Sequence, residues 1–529
     1  MSVVLFFVTC FSLAVSPNEA AKILAVFPTP SISHQIVFRP LTHELAKRGH
    51  VVTVISPDPA FPKGGTPSNL TEIDVHDLSY RVWQEEYMAT PKGNKNDLIV
   101  DYEIIVRLLV KIFDAQLNDK QVQNLIRDKD QHFDLILAEG CVRPAVVFSH
   151  IHKAPVIIVS SFGDYLDNYQ IIGVPTHFFL YPRNISRKLN NLTIWDKLAQ
   201  VYHNYRIERV NKNSYAEENI MLRKHFGSDL PPVEEINNNV AMLFLNIHPL
   251  FEGNRPVPPS VVYMGGLHQN PEKELPTDLK SYLDSSKNGA IYISFGTNVD
   301  PSLLPSEKIQ VLVRVFSQLP YDVLWKWNKD ELPGRTDNIR ISKWLPQSDL
   351  LKHPKVKLFV TQGGLQSTDE AITAGVPLIG IPMLGDQWYN VEKYEYHKIG
   401  LKLELETLTE ENFKNAIKSI IGDDSYHQNV VRLSKLKHDE PMRPLERAVW
   451  WTEHVLRHGG AEHLRAPAAN MSWTQYLELE LVLTLLIGLL TATAIFITIV
   501  HFIYKHFIRK YVATMKMKLV YFAVSTVRL

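Results

Sequence analysis

The sequence predicts an α/β protein built from two doubly wound halves and followed by a single membrane-spanning helix. Short apolar runs alternate with helical stretches in both halves of the 529-residue chain, a pattern typical of parallel sheets covered by helices on both faces. A proline-rich segment, Arg255-Pro-Val-Pro-Pro-Ser260, separates the two halves. A run without formal charge, from Leu481 to Val500, follows the second half and is long enough to cross a bilayer.

Apolar runs in the first half predict the strands of its sheet: Lys22–Phe27, Val51–Ile55, Asp134–Ala138 and Pro155–Val159. Between the first two runs, a helical stretch has Ser33 as its predicted N-cap and Gly49 as its predicted stop. From Tyr165 to Leu222 the pattern is less regular and rich in aromatic residues. We therefore expect this region to be an insertion in the regular alternation of strands and helices.

The second half repeats the architecture. Its predicted strands are Ala290–Ser294, Asp322–Trp327, Asn338–Ser342, Lys357–Thr361 and Pro377–Ile381. Its predicted helices are Pro305–Leu319, Leu365–Ala374, Tyr389–Lys398 and Leu445–His458. Two such halves place a ligand in the cleft between them, at the carboxyl ends of the strands.

The composition bounds the function. Lys plus Arg and Asp plus Glu number 56 each, so a formal net charge of zero gives no general attraction to nucleic acid or another polyanion. Neither of the two cysteines has metal-ligand spacing. Cys10 lies in the apolar N-terminal stretch and Cys141 would remain alone after its removal, so we expect no intrachain disulfide.

Both ends of the chain suggest a membrane protein. The apolar run from Val3 to Val15, with small residues near Ala21, predicts a signal peptide over residues 1–21, the alternative being a buried first strand. We place the span at residues 481–504, the alternative being a buried core helix. Residues 505–529 are basic and contain no acidic residue, so the positive-inside rule predicts a cytosolic tail and a lumenal body. The Asn-x-Ser/Thr triplets agree with a lumenal body: Asn69, Asn184, Asn191 and Asn470.

The most informative stretch runs from Phe359 to Gln387. A strand ends at Thr361 and a Gly363-Gly364 turn enters a helix, so the backbone can approach a ligand closely and the helix start offers free N–H groups to an anion. Further polar residues have predicted contacts: Gln366 and Ser367 to phosphate oxygens, Glu370 to both hydroxyls of a ribose, and Asp386 and Gln387 to the hydroxyls of a sugar. A well-capped helix in any doubly wound fold is the alternative reading of the glycine turn alone.

This whole stretch closely resembles the donor-binding region of UDP-glycosyltransferases, as do Trp344-Leu-Pro-Gln347 and Ser294-Phe-Gly-Thr297. The resemblance covers nearly the entire chain and is strongest to the arthropod branch, which generally uses UDP-glucose. It implies a GT-B fold with an acceptor-binding domain at residues 22–254, including the irregular insertion. A linker at 255–268 and a UDP-sugar-binding domain at 269–460 complete the predicted organisation.

The resemblance also implies roles in the donor site. Trp344 would stack on the uracil, Gln347 would contact the nucleoside, and the loop containing Ser294, Gly296 and Thr297 would contact phosphate. Many family members have a histidine where this chain has Gln362, which can donate a hydrogen bond but carries no charge.

The resemblance implies, finally, a general base and its carboxylate partner. His34, in Pro30-Ser-Ile-Ser-His34-Gln, matches the catalytic histidine that removes the acceptor proton, whereas a lone histidine would more often be a surface or capping residue. Glu139 stands where the family usually has an aspartate that orients this histidine, with Asp134 as the rival carboxylate. The family inverts the anomeric centre by direct displacement and uses neither a metal nor a cofactor.

The expected function is therefore transfer of a hexose, glucose by preference, from a UDP-sugar to a small lipophilic acceptor at the endoplasmic reticulum membrane. A hexuronate would bring a second carboxylate close to Asp386. The alternative is a non-catalytic nucleotide-sugar-binding membrane protein on the same fold; a receptor-like protein would not need the donor motif. A homo-oligomer is compatible with the sequence.

Overall fold

The computed structural model describes residues 20–62, 64–88, 98–128, 130–269 and 271–526. Residues 1–19 of the predicted signal peptide, with Cys10, and the last three residues of the predicted tail lie outside the described residues. The chain divides after Asn470 into two compact units, the folded body and a C-terminal unit that begins at Met471.

In the described residues, the strands of the body form two parallel sheets. The first sheet has the order β3-β2-β1-β4-β5-β6-β7 and the second has the order β10-β9-β8-β11-β12-β13. The strands of the first are β1 (Lys22–Val26), β2 (Val51–Ser56), β3 (Leu70–Asp74), β4 (Leu135–Glu139), β5 (Val156–Ser160), β6 (Val240–Leu245) and β7 (Val261–Tyr263). Those of the second are β8 (Ala290–Ser294), β9 (Asp322–Lys326), β10 (Ile339–Ser342), β11 (Val356–Thr361), β12 (Leu378–Gly380) and β13 (Gly400–Lys402). The predicted doubly wound halves are confirmed.

Helices connect the strands. Those of the first half are α1 (Ile32–Lys47), α2 (His76–Trp83), α3 (Leu98–Gln116), α4 (Lys120–Arg127), α5 (Val147–His152), α6 (Asn168–Ile172), α7 (Ile194–Phe226), α8 (Val233–Ile236) and α9 (Pro249–Glu252). The second half contributes α10 (Thr277–Ser285), α11 (Ser306–Ser317), α12 (Gln347–Leu351), α13 (Leu365–Ala374), α14 (Gln387–Tyr396), α15 (Glu410–Gly422), α16 (Ser425–His438) and α17 (Pro444–His458). The C-terminal unit contains α18 (Trp473–Tyr476) and α19 (Leu479–Thr526).

Both faces of each sheet are buried, which explains why the strands read as continuous apolar runs. In β1, Leu24 and Val26 pack into one apolar cluster, whereas Ile23 and Ala25 pack into another on the opposite face. The second sheet behaves alike, since the neighbouring residues Tyr292 and Ile293 also belong to different clusters.

The strand order reverses direction at one point in each sheet, and these two points position the site. In the first sheet β1 lies beside β4, with Val26 opposite Ala138. In the second sheet β8 lies beside β11, with Ser294 opposite Thr361. In open α/β sheets, ligands bind at such a switch point, outside the carboxyl ends of the strands.

The structure corrects the predicted boundary between the halves. The range 255–268, expected to be a linker, contains β7, whose Val261 and Tyr263 lie opposite Leu243 and Leu245 of β6 in the first sheet. The strand is short and follows the proline-rich segment directly, so the pattern typical of a linker hid the pattern typical of a strand.

Helix α17 corrects the domain range 269–460. Its Ala448, Val449 and Val455 are fully buried in the cluster that also contains Ile23 and Ala25 of β1. An apolar stripe on this helix therefore packs against the first sheet, although the helix follows the second sheet in the chain.

A smaller correction concerns the start of α1. This helix begins at Ile32 with Ser31 at its N-cap, so Ser33, the predicted cap, lies inside the first turn. Ser33 Oγ is instead 2.9 Å from Ser31 Oγ.

The C-terminal unit contains one long apolar helix. Residues 479–523 of α19 are long and apolar enough to cross a membrane, and their side chains are exposed within the unit. Because a bilayer core of about 30 Å needs roughly 20 helical residues, only part of this helix would be inside a membrane. The basic segment after Tyr504 continues the same helix to Thr526.

Candidate active site

Both switch points face one cleft. A cavity of about 1640 Å³, open to solvent, is lined by loops from the two sheets. His34 and all of the predicted donor-site residues lie in its lining: Ser294, Gly296, Thr297, Trp344, Gln347, Gln362, Gly364, Gln366, Ser367, Glu370, Asp386 and Gln387. The structure therefore brings together residues that are separated by up to 353 positions in the chain.

His34 and Glu139 form a hydrogen-bonded pair at the first switch point. His34 lies in the first turn of α1, and its Nδ1 is 2.8 Å from Oε1 of Glu139, the last residue of β4. Glu139 is buried, and its Oε2 accepts the backbone N–H of Thr29 at 2.9 Å. A carboxylate only accepts hydrogen bonds, so Nδ1 carries the proton and the unprotonated Nε2 remains as a base.

Asp134, the rival carboxylate, lies at the opposite end of the strand. Its Oδ2 accepts the backbone N–H of Lys22, the first residue of β1, at 2.8 Å. It is therefore at the amino end of the sheet, away from the cleft.

Contacts across the cleft lie close to His34. Asn298 Nδ2 donates to Ser31 Oγ at 3.1 Å, and Gln366 Nε2 donates to the carbonyl of Ser161 at 2.9 Å. Phe162 packs edge-on against the His34 ring at 5.5 Å. The two hydrogen bonds hold loops of the second half against the first half beside His34.

Cys141 is buried next to this pair. A ligand atom from each of His34, Glu139 and Cys141 lies within 4.8 Å of the others, so spacing alone would allow a metal ion. The 2.8 Å separation of His34 and Glu139 is that of a hydrogen bond, and burial raises the pKa of the Cys141 thiol well above its usual range. A protonated thiol is a poor metal ligand.

At the second switch point, helix α13 presents its N-terminus to the cleft. Gly364 occupies the N-cap position, and no side chain caps the first turn, which also contains no acidic residue. Gly296 of the neighbouring loop has φ +73°, and a Cβ there would clash with the amide of Gln362. Gln362 is buried and its Oε1 has no hydrogen-bond partner within the described part of the protein. The free N–H groups of this helix start are suited to a diphosphate, whereas the amide of Gln362 would have to turn its Nε2 towards a phosphate oxygen to donate to it.

Trp344 offers an exposed aromatic surface on the wall of the cleft. Its side chain is 65% exposed, which is unusual for tryptophan. Lys326, the last residue of β9, has its Nζ 4.9 Å from the Trp344 ring centroid and donates to the carbonyl of Gly296 at 2.7 Å. Burial lowers the pKa of Lys326.

Glu370 and Gln347 form a polar network below Trp344. Gln347 Nε2 donates to Glu370 Oε2 at 2.7 Å and to Ser367 Oγ at 2.9 Å, and its Oε1 accepts from Tyr292 at 3.0 Å. Burial raises the pKa of Glu370 to about 7, opposed by the Gln347 hydrogen bond. The carboxylate is thus held in place but only partly ionised near neutral pH.

Asp386 and Gln387 lie where the first cavity meets a second cavity. Asp386 accepts from Asn390 Nδ2 at 2.8 Å, and burial raises its pKa to about 6. Gln387 Oε1 accepts the backbone N–H groups of Met383 and Leu384, both at 2.8 Å, which fixes its amide.

The second cavity has about 910 Å³ of space and shares His34, Phe162, Asn298, Asp386 and Gln387 with the first. The rest of its wall is mainly apolar and aromatic, with Trp83, Tyr87, Leu98, Tyr102, Ile105, Leu109 and Tyr165. Asp101 and Asn184 add polar groups. The irregular region that begins at Tyr165 contributes Tyr165, Asn184 and Ile185 to this wall.

The four predicted glycosylation asparagines differ in accessibility. Asn191 is exposed, with φ 51°, and lies two residues before Thr193, the N-cap of α7. The other three amides are engaged: Asn69 Nδ2 donates to the carbonyls of Ala46 and His50, Asn184 Nδ2 donates to that of Asp164, and Asn470 Nδ2 donates to Asn238 Oδ1.

Sequence reasoning missed Lys326, Asn298 and Ser31. Lys326 ends a strand next to β8, so its position at a carboxyl end was a usable signal. Asn298 directly follows the Ser294–Thr297 motif, whereas its contact with Ser31, 267 positions away, was not visible in the sequence.

Comparison with known proteins identifies the family of the chain. Residues 21–514 match the family model described as "UDP-glucoronosyl and UDP-glucosyl transferase". The chain is 37% identical to an ecdysteroid UDP-glucosyltransferase of Spodoptera littoralis nuclear polyhedrosis virus, over 90% of this chain and 96% of the relative. It is 31% identical to UDP-glucosyltransferase 2 of Dactylopius coccus, over 91% and 93%.

A solved structure of a UDP-glucose:anthocyanidin 3-O-glucosyltransferase with UDP superposes with a TM-score of 0.57 at 15% identity, covering 83% of this chain and 100% of the other. This likeness confirms the expected GT-B fold. With its two facing parallel sheets and its match over nearly the whole length, the chain belongs to the UDP-glycosyltransferase family.

Proposed function

We propose that this enzyme transfers glucose from UDP-glucose to a hydroxyl of a small lipophilic acceptor, with inversion at the anomeric carbon. The observation that carries the proposal is the 2.8 Å pair of His34 and Glu139 at the border of the two cavities. A base at this border reaches an acceptor on one side and a donor sugar on the other.

In this mechanism, His34 Nε2 removes the proton of the acceptor hydroxyl as its oxygen attacks the anomeric carbon and UDP leaves. The base becomes an imidazolium, which the adjacent Glu139 carboxylate stabilises. Glu139 is itself oriented by the N–H of Thr29, so its position does not depend on the substrate. The family requires no metal for this step.

The donor residues have distinct roles. Trp344 stacks on the uracil, Gln347 contacts the nucleoside, and Glu370 accepts the ribose hydroxyls. The diphosphate binds the bare N-terminus of α13, with Gln362, Ser367 and the Ser294–Thr297 loop nearby. Gln366, expected on a phosphate oxygen, donates across the cleft in this structure and would have to release Ser161 to do so.

Asp386 and Gln387 hold the sugar hydroxyls, since they border both cavities. Relatives described as UDP-glucosyltransferases support glucose as the sugar. Among the described residues, the lysine and arginine side chains that line the first cavity are Lys326 and Arg39. Lys326 lies over Trp344 at the nucleoside end, and Arg39 donates to the carbonyl of Asp58, so both are already engaged. The apolar walls of the second cavity favour a lipophilic acceptor.

We also propose a single-pass protein of the endoplasmic reticulum membrane, with a lumenal body and the end of α19 in the cytosol. The basic residues after Tyr504 support this orientation. Asn191 is the glycosylation site best exposed for modification, whereas a glycan on Asn184 would occupy the acceptor cavity.

The test compares His34→Ala with His43→Ala in the full-length enzyme. His43 lies on the same helix, where it packs against Phe61 at 5.0 Å, and serves as the matched control. We expect His34→Ala to lose about two to four orders of magnitude in turnover and to bind UDP normally. The control should keep its activity.

Substantial turnover by His34→Ala would contradict its role as the base. A wild-type enzyme that binds UDP-glucose but transfers nothing to a panel of phenols and steroids would support the alternative, a non-catalytic nucleotide-sugar-binding protein.

A further inference from the structure

Three histidines outside the cleft converge where the last helix of the body ends. His454 and His458 lie one turn apart on α17, and His463 lies in the 3₁₀ turn Glu462–Leu464 that follows it. The activity described above uses none of them.

Two of the three present their nitrogens at the spacing that a shared ion needs, and the third ring lies beside them. The ligand atoms of all three do not lie within 4.8 Å of one another, so a side chain must turn to complete the set. His454 Nε2 and His463 Nε2 are 3.1 Å apart. The ring centroid of His454 is 4.5 Å from that of His458 and 5.3 Å from that of His463, and the centroids of His458 and His463 are 5.7 Å apart. Two imidazole nitrogens on a tetrahedral ion, each about 2.0–2.1 Å from it, lie about 3.3 Å from each other.

The surroundings hold one ring in place and leave the other two room to move. His454 is half-buried and held by stacking on Trp450 at 5.3 Å and by the edge of Trp451 at 5.1 Å. His458 and His463 are exposed, so they can adjust around an ion.

We propose that His454, His458 and His463 form a three-histidine site for Zn²⁺, with water as the fourth ligand. Imidazole is a preferred ligand of this ion, and a helical i, i+4 pair places two rings on one side of it. The ion would fasten the turn at Glu462–Leu464 to the end of α17. Arg465, just beyond the turn, already bonds to Asn238, so the site would strengthen an existing attachment.

The test uses the full-length protein in detergent, stripped of metal with a chelator and titrated with Zn²⁺ against a chromogenic chelator. We expect one tight equivalent in the wild type and its loss in the triple variant His454→Ala, His458→Ala, His463→Ala. His438→Ala is the matched control, because His438 is also exposed at the end of a helix but bonds to the carbonyl of Ser434.

Two further measurements keep the test decisive. His463→Gln changes only the exposed turn, so it should fold normally and bind Zn²⁺ at least about tenfold more weakly, as expected for the loss of one ligand. Zn²⁺ should also raise the melting temperature of the wild type and leave that of the triple variant unchanged.

The proposal is overturned if the wild type binds no stoichiometric Zn²⁺ or if His463→Gln binds it as tightly as the wild type. It is equally overturned if binding is lost in Cys141→Ser instead, since the ion would then lie beside His34 and Glu139.

Discussion

Replacing Glu139 with glutamine removes the charge beside His34 while almost preserving the volume of the side chain. In the native protein one carboxylate oxygen faces His34 Nδ1 at 2.8 Å and the other accepts from Thr29 at 2.9 Å. A glutamine amide has only one acceptor oxygen. Either Thr29 then faces an N–H group, or His34 does and is forced into the tautomer that protonates Nε2.

The size of the effect follows from this geometry. Charge centres about 4 Å apart interact by about 4 kcal/mol at an effective dielectric constant near 20, or about three orders of magnitude in rate. The tautomer error adds to this, and in serine hydrolases the corresponding substitution costs about 10⁴ in turnover. We therefore expect Glu139→Gln to lose about 10³–10⁴ in kcat. An unpaired buried N–H would lower the free energy of unfolding by about 1–3 kcal/mol.

The assay measures kcat with UDP-glucose and a phenol acceptor, together with UDP affinity by calorimetry and the melting temperature. Glu139→Asp is the matched control because it keeps the charge. A carboxylate shorter by one methylene cannot reach both Thr29 and His34, so we expect a loss of about 10- to 100-fold. UDP affinity should stay unchanged in both variants, because Glu139 belongs to the opposite sheet. If Glu139→Gln keeps most of its turnover while folded, the carboxylate does not orient the base.

Four further predictions concern the donor site and the topology. Trp344→Ala should weaken UDP binding by about 1–3 kcal/mol in calorimetry, and an unchanged affinity would exclude stacking. The pKa of Glu370 is raised in the folded state, to about 7 against 4.5, so the folded protein binds more protons than the unfolded chain between these pH values. The free energy of unfolding of the protein therefore falls as the pH rises through this range. Glu370→Gln should remove this pH dependence of the free energy of unfolding, measured by urea denaturation, and should weaken UDP binding. If the variant and the wild type show the same pH dependence, the pKa of Glu370 is not raised. Competition kinetics should give a higher kcat/KM for UDP-glucose than for UDP-glucuronic acid, and the reverse order would show the inferred donor to be wrong. Glycosidase treatment should increase the gel mobility of the protein, and Asn191→Gln should abolish most of this change. Protease added outside sealed microsomes should leave the body intact; digestion of the body would show that it faces the cytosol.

Local sequence patterns were sufficient for most of the secondary structure. The predicted helix Leu365–Ala374 has its observed bounds, and the predicted strand at Ala290–Ser294 does as well. Strand β3 was not predicted, because this edge strand alternates polar and apolar residues and half of its surface is open. Strand β6 was not predicted either, since it follows the irregular region and the long α7 helix.

The sequence by itself determined the family, the strand–turn–helix motif of the donor half and the apolar segment of the C-terminal unit. These are local features, written in the periodicity of side chains and in glycine turns. Only the tertiary structure decided which distant groups meet: His34 with Glu139 across 105 positions, Asn298 with Ser31 across 267, and α17 with the first sheet. Such contacts depend on how whole sheets and helices pack, and packing free energy comes from the burial of complementary surfaces that no local pattern specifies.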